Sequence, residues 1–188
     1  SDCYERVWDG NCPSQLEEYL GEHSGITVLD PREYFNANRD YTWYYKTDTH
    51  WNFAGGYVGS QMIIEALGGN AVPIEDVTVT YEAAAPGDLV NLFHLPEQYC
   101  SDENAVITGF GDNLAVHVED VLGNKNILHM STPGAPDGRR IAVIRDSFGT
   151  ALMDKLPRYF ANVDFYHWQA FDYTMLEKNP PDAVIYEI

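Results

Sequence analysis

The amino-acid sequence predicts an α/β fold, a parallel sheet flanked by helices, carrying a β-rich insertion. Three observations predict it. The last fifty residues alternate apolar, β-prone runs with helix-prone stretches, the texture of strands buried on both faces of a parallel sheet. Between about residues 70 and 138 the texture changes to short β-prone runs separated by turn-rich loops, as in antiparallel pairs. With 188 residues, 45% hydrophobic and 13% aromatic, the chain suffices for one domain with a substantial core, taken here as a single unit over 1–188.

In chain order, residues 14–22 read as a short helix, from Ser14 as N-cap to Gly21. Ile26-Thr27-Val28-Leu29-Asp30 is a β-branched run stopped by Pro31, expected to be a buried strand. After Asp48-Thr49-His50-Trp51-Asn52 a helix is expected from about Phe53 to Leu67. Phe53, Tyr57, Ile64 and Leu67 fall near one face of it, and Gly68-Gly69 ends it. Val77–Tyr81 and Leu114–Val118 are the expected strands of the insertion. Arg140–Ile144 is then a strand, Ser147 to about Phe160 a helix, and Val163–Tyr166 a strand. A helix over 172–178 and the break at Pro180-Pro181 lead to a last strand, Ala183–Tyr186, so the end of the chain reads β-α-β-α-β with right-handed crossovers.

Eleven Lys and Arg face 29 Asp and Glu, a formal charge of −18, and a surface of that sign repels nucleic acid and anionic lipid. A neutral or locally steered ligand fits better than a polyanion. No run of 18 apolar residues occurs, so no direct membrane insertion is expected. Cys3 and Cys12 could close a small loop, which would point to an oxidising compartment; three free thiols, with Cys100, are the alternative. No cysteine pair has the spacing of a zinc knuckle.

Ser147, in Arg145-Asp146-Ser147-Phe148, follows a buried strand and opens the expected helix. In an open α/β sheet that edge is the functional crevice. The free N–H groups of a first helical turn suit an oxyanion. The plainer reading, which local sequence favours, is that Ser147 only caps its helix. A serine nucleophile needs a base and the base an orienting carboxylate. His50 and Asp48, two residues apart, supply that pair. Trp43, Tyr44, Tyr45 and Trp51 could exclude water or line an acceptor site. Structural roles for Asp48 and His50 stay open. Asp-x-His could also give two metal ligands, but His94, His117, His129 and His167 are scattered without motif spacing, and no metal is expected.

Four strings occur in order: Tyr45-Lys46-Thr47-Asp48-Thr49-His50-Trp51-Asn52, Gly55-Gly56, Gly87-Asp88-Leu89, and Ile144-Arg145-Asp146-Ser147-Phe148-Gly149. From about Gly25 onward the chain resembles the SGNH-hydrolase-like acetyltransferases related to the alginate O-acetylation proteins. The resemblance implies a flavodoxin-like three-layer sandwich with a central parallel sheet and a permuted triad order, Asp48 and His50 before Ser147. It implies Ser147 as nucleophile, His50 as general base and Asp48 as its orienting partner. The implied activity moves acetyl groups onto hydroxyls of an extracellular polysaccharide through an acyl-serine, without a cofactor. A membrane-bound O-acyltransferase would supply acetyl, and the protein would act outside the cytoplasm, in the periplasm, secreted or at the cell surface. An acetyl esterase and a non-catalytic glycan-binding scaffold are the alternatives.

Family members carry a longer segment before the strand at Ile26, so an excised domain is expected. The Ser147 N–H is the expected first oxyanion donor, with the Asn52 side chain or the Gly87 backbone as the second. Arg145 would hold substrate or, by preference, pair with Asp146. Trp51 would line the acceptor site, and Asp88 is a turn residue or part of the cleft.

Overall fold

The computed structural model describes residues 12–96, 98 and 100–188. It contains two units, one ending at Asp30 and the other running from Pro31 to Ile188. In the first, helix α1 spans Cys12–His23, where a helix is expected. The expected strand at Ile26–Asp30 does not form. Ile26 is 61% exposed and its N–H is taken by the Ser24 hydroxyl at 3.2 Å. A β-branched run with no partner strand has no ladder to join. Cys12 and Cys100 carry free thiols, and the pairing considered for Cys3 lies outside the described residues.

The second unit is built on a five-stranded sheet. Its strands are β3 (His117–Asp120), β4 (Ile127–Ser131), β5 (Asp137–Arg145), β6 (Phe160–His167) and β7 (Ala183–Tyr186). The spatial order is β3-β4-β6-β5-β7. The three last strands run parallel, with β5 in the middle, as their apolar runs require. The sheet as a whole is mixed, because β3 and β4 add to it antiparallel. Part of the β-rich middle section thus extends the main sheet. The other part, β1 (Thr78–Ala84) and β2 (Asp102–Thr108), is a separate antiparallel ribbon. The run at Leu114–Val118 yields a strand only from His117 onward.

Helices α2 (Arg32–Ala37), α3 (Phe53–Ala66), α4 (Asp88–Leu92) and α5 (Thr174–Lys178) complete the unit. Leu128, Met130, Ile141, Val143, Val163 and Phe165 on one face of the sheet share a core with Ala54, Tyr57, Val58 and Ile64 of α3. Ile127, Ala142 and Tyr166 on the other face lie under Ala170, Phe171, Met175 and Leu176. Each fully buried aliphatic or aromatic side chain contributes about 1.5–3 kcal/mol. Asp164 of β6 is buried and holds His129 of β4 at 2.8 Å and Arg140 of β5 at 2.7 Å, linking three strands through their side chains.

The stretch after β5 departs from expectation. Ser147 to Phe160 is not an α-helix but two 3-10 segments, Phe148–Met153 and Leu156–Arg158. Pro157 lacks a backbone N–H and disfavours α-helical geometry at Leu156, so a continuous helix cannot pass. Among the described residues no helix is long and apolar enough to cross a membrane.

Candidate active site

The loop that carries Asp48 and His50 is closed upon itself. Tyr44 and Trp51 form an antiparallel bridge, and the Asn52 N–H donates to the Trp43 carbonyl at 2.8 Å. Asp102, the first residue of β2 and 3% exposed, fastens the loop from below. Its carboxylate accepts from the Lys46 N–H at 3.1 Å, the Thr47 N–H at 2.8 Å and the Thr47 hydroxyl at 2.6 Å. Burial would raise the Asp102 carboxyl, but these hydrogen bonds from Thr47, Lys46 and Glu103 outweigh it and hold it below the usual range. Thr47 in turn accepts the Gly87 N–H at 2.9 Å. Gly87 is required here by close approach. A Cβ on it would lie 2.3 Å from the Asp48 Cβ and 2.6 Å from the Thr47 carbonyl. Asp88, next along, receives the Thr49 N–H at 3.0 Å and the Thr49 hydroxyl at 2.7 Å.

Asp48 Oδ1 accepts both the His50 N–H at 3.0 Å and the His50 Nδ1 at 2.5 Å. The two-residue spacing makes this possible, since an aspartate in a turn reaches the backbone two residues on. Asp48 Oδ2 takes the Asp88 N–H at 3.2 Å. Burial pushes the Asp48 carboxyl up, yet hydrogen bonds from the His50 ring and from the His50 and Asp88 N–H groups carry it below its ordinary value. With Nδ1 held there, His50 turns Nε2 to the Ser147 Oγ at 2.7 Å. The Phe148 ring lies against the imidazole, 4.6 Å between centroids.

Ser147 precedes the first 3-10 segment, and its hydroxyl makes no capping bond there. The segment is seated on α3 through small residues. A Cβ at Gly56 would meet the Ala151 Cβ at 2.4 Å, and one at Gly59 would meet the Trp51 ring at 2.9 Å. Trp51 spans the join, its Nε1 donating to the Phe148 carbonyl at 2.8 Å. The amides around Ser147 are taken by carboxylates. The Asp146 and Gly149 N–H groups donate to Glu187 Oε2, each at 3.1 Å, and the Phe148 N–H to Asp146 Oδ1 at 2.7 Å.

A family of SGNH hydrolase-like domains, that of the acetyltransferase AlgX, matches residues 14–108, just over half of the chain and the part that carries Asp48 and His50. The chain belongs to this AlgX acetyltransferase family. Solved structures agree in fold. A DHHW family protein from Eubacterium siraeum is 13% identical with a TM-score of 0.73, over 92% of this chain and 67% of that one. PatB1 of Bacillus cereus is 18% identical with a TM-score of 0.67, over 93% of this chain and 73% of that one. The O-acetyltransferase domain of Pseudomonas putida AlgJ is 17% identical with a TM-score of 0.50, over 94% of this chain and 63% of that one. No curated protein matches the chain in sequence.

In this AlgX-family chain Asn52, the Gly87 amide and Arg145 are engaged within the protein. Asn52 is fully buried and caps α3, its Oδ1 accepting the Ala54 N–H at 2.8 Å and its Nδ2 donating to the Thr42 carbonyl at 2.7 Å. With 0% exposure and its oxygen committed to the α3 cap, it does not face an open site as an oxyanion donor. The Gly87 N–H is likewise committed, to Thr47. Arg145 does not pair with the Asp146 carboxylate. It is buried and donates to the carbonyls of Asp146 at 2.9 Å and Lys125 at 2.7 Å, while its Nε has no partner. Burial lowers its guanidinium from the usual value against the pull of Glu187 and Asp146. Asp48, His50 and Asp88 place one ligand atom each within 4.8 Å of one another. Both carboxylates also receive the N–H groups that shape the loop. Sequence reasoning missed Glu187 and Asp102. Neither has a local signal, because each acts on a loop brought beside it by the tertiary fold.

Proposed function

We propose that the protein is an O-acetyltransferase that moves acetyl groups onto hydroxyls of an extracytoplasmic polysaccharide. One observation carries the reading: the continuous line from Asp48 through His50 Nδ1 and Nε2 to Ser147 Oγ, at 2.5 and 2.7 Å. In the reaction Ser147 Oγ attacks the acetyl carbonyl of a donor while His50 takes its proton at Nε2. Asp48 keeps Nδ1 protonated and steadies the imidazolium. Collapse expels the donor's leaving group, protonated by His50, and leaves acetyl-Ser147. An acceptor hydroxyl, deprotonated by His50, then attacks the acyl-serine and regenerates the enzyme. The Ser147 N–H, outside the network that occupies its neighbours, is the amide assigned to the oxyanion.

The order Asp48, His50, Ser147 is the permuted one of the AlgX-family reading. Membership of that family supports the transfer of acetyl, with a membrane-bound O-acyltransferase as its source and an extracytoplasmic setting. The charge of −18 favours a neutral glycan over an anionic one. An esterase uses the same acyl-serine with water in place of the sugar.

Incubation with an activated acetyl ester, with and without oligosaccharide acceptors, separates the readings. Acetylated sugar from the intact protein and none from Ser147→Ala is the expected result. Hydrolysis that acceptors do not divert assigns the site to an esterase. No turnover, with glycan binding equal in the two proteins, removes both.

A further inference from the structure

We infer that Glu187 is a positioning residue for the nucleophile: paired with Asp146, it holds the turn on which Ser147 stands. The inference rests on the acyl-transfer reading of Ser147. Glu187 lies one residue beyond β7, and its own N–H donates to the Ile144 carbonyl at 2.9 Å, so its side chain stands at the level where β5 ends. From there Oε2 receives the Asp146 and Gly149 N–H groups, each at 3.1 Å. Asp146 Oδ1 receives the Phe148 N–H at 2.7 Å. Two carboxyl groups thus fix the amides before and after Ser147 and leave the Ser147 N–H outside the network. Gly149 admits this arrangement, since a Cβ there would lie 3.0 Å from Glu187 Oε2 and 2.6 Å from the Arg145 Cβ.

The charged groups that face Glu187 are Asp146 on the turn and the Arg145 guanidinium at the end of β5. Arg145 spends its hydrogen bonds on carbonyl oxygens, so it does not neutralise the pair by contact. Two adjacent carboxyls cannot both ionise cheaply, so the pair holds its last proton more tightly than an isolated carboxyl would. Burial first, and then the Asp146 charge, push the Glu187 carboxyl up to about 7. When that proton leaves to solvent, two like charges stand beneath the turn whose N–H must face an oxyanion. The singly protonated pair is therefore the form that positions Ser147. Glu187 touches neither the Ser147 hydroxyl nor the reacting atoms.

Three measurements on the full chain test this: kcat and KM with an activated acetyl ester, the rate of Ser147 labelling by a sulfonyl fluoride, and the amide shifts of Asp146 and Gly149 across pH. Glu187→Ala is expected to lower kcat and the labelling rate together by about 10- to 100-fold with KM little changed, as a displaced reacting group does. Glu187→Gln keeps an oxygen for both N–H groups. It is expected to hold wild-type kcat on the acid side and to lose the alkaline decline through about 7. In the wild type the Gly149 amide shift follows the same transition, and in Glu187→Gln it does not.

Superimposable pH profiles for wild type and Glu187→Gln, or wild-type kcat in Glu187→Ala, overturn the inference. So does a wild-type Gly149 amide that does not titrate, whatever the activity. A wild-type protein that neither turns over ester nor reacts with the sulfonyl fluoride, while its Gly149 amide still titrates with Glu187, removes the acyl-transfer reading and leaves the latch in place.

Discussion

Asp48 accepts three hydrogen bonds, and each sets a different part of the site. The His50 N–H fixes the turn, the His50 ring fixes the tautomer, and the Asp88 N–H ties in the loop at Gly87. Asp48→Asn keeps the size but has one acceptor oxygen where Asp48 uses two, so its NH2 must face either the His50 groups or the Asp88 N–H. It is expected to lower kcat by roughly 10²- to 10⁴-fold and to lower the melting temperature slightly, in ester turnover followed beside thermal unfolding. Gly87→Ala is a different failure. Its Cβ would stand 2.3 Å from the Asp48 Cβ, so one of the two loops must move. Lower activity together with a lower melting temperature is expected from this steric displacement, with every residue of the Asp48–His50 line unchanged. The Asp48–His50 relation was legible in the sequence because an Asx turn is local and needs only two residues of chain. The oxyanion role assigned to Asn52 was not, because an asparagine ahead of an apolar helix serves first as its N-cap.

At the scale of elements, the nucleophile is placed by a small-residue seam between α3 and the 3-10 segment after Ser147. Gly56 faces Ala151 so closely that an added Cβ would lie 2.4 Å from the Ala151 Cβ and 2.7 Å from its carbonyl oxygen. Gly56→Ala is expected to cost about 1–3 kcal/mol by overpacking and to shift Ser147 away from His50. Ala151→Gly removes the Cβ but not the carbonyl, so the double variant should recover part of the loss. A coupling free energy from denaturant unfolding of the four proteins measures it, and strict additivity would mean that the seam is not in contact. Strands β5 and β6 were legible because their apolar runs are buried on both faces, whereas β7, an edge strand with Val184 and Tyr186 exposed, was legible only as a short β-prone run after Pro180-Pro181. The extended run at Ile26–Asp30 was misread because a strand also needs a neighbour, which local sequence does not reveal. The segment after Ser147 was expected as one helix and forms two 3-10 segments, the second carrying Pro157.

Across the whole molecule, the acidic groups pull stability in opposite directions with pH. Asp48, Asp102 and Asp137 all have carboxyls held below their ordinary value of 3.8, so the folded state gives up its protons more readily than the unfolded chain. What they contribute is present above 3.8 and is lost as pH falls through their folded values. Glu187 works the other way. Below 4.5 it is neutral in both states; between 4.5 and about 7 the unfolded chain has lost the proton that the folded protein keeps. The unfolded state then binds fewer protons, and stability falls as pH rises through that window. The general repulsion of a chain carrying −18 grows over the same range, so the wild-type slope alone does not isolate Glu187. Comparison with Glu187→Gln does, because both proteins carry the same remaining charges. Denaturant unfolding along a pH series should show the variant gaining on the wild type from 4.5 to about 7, with a constant difference beyond. Salt distinguishes the two sources of the slope. The diffuse repulsion is screened over a Debye length of about 8 Å at physiological ionic strength. The buried pair beneath Ser147 is not, so the difference between the two proteins should persist in high salt while the slope they share flattens.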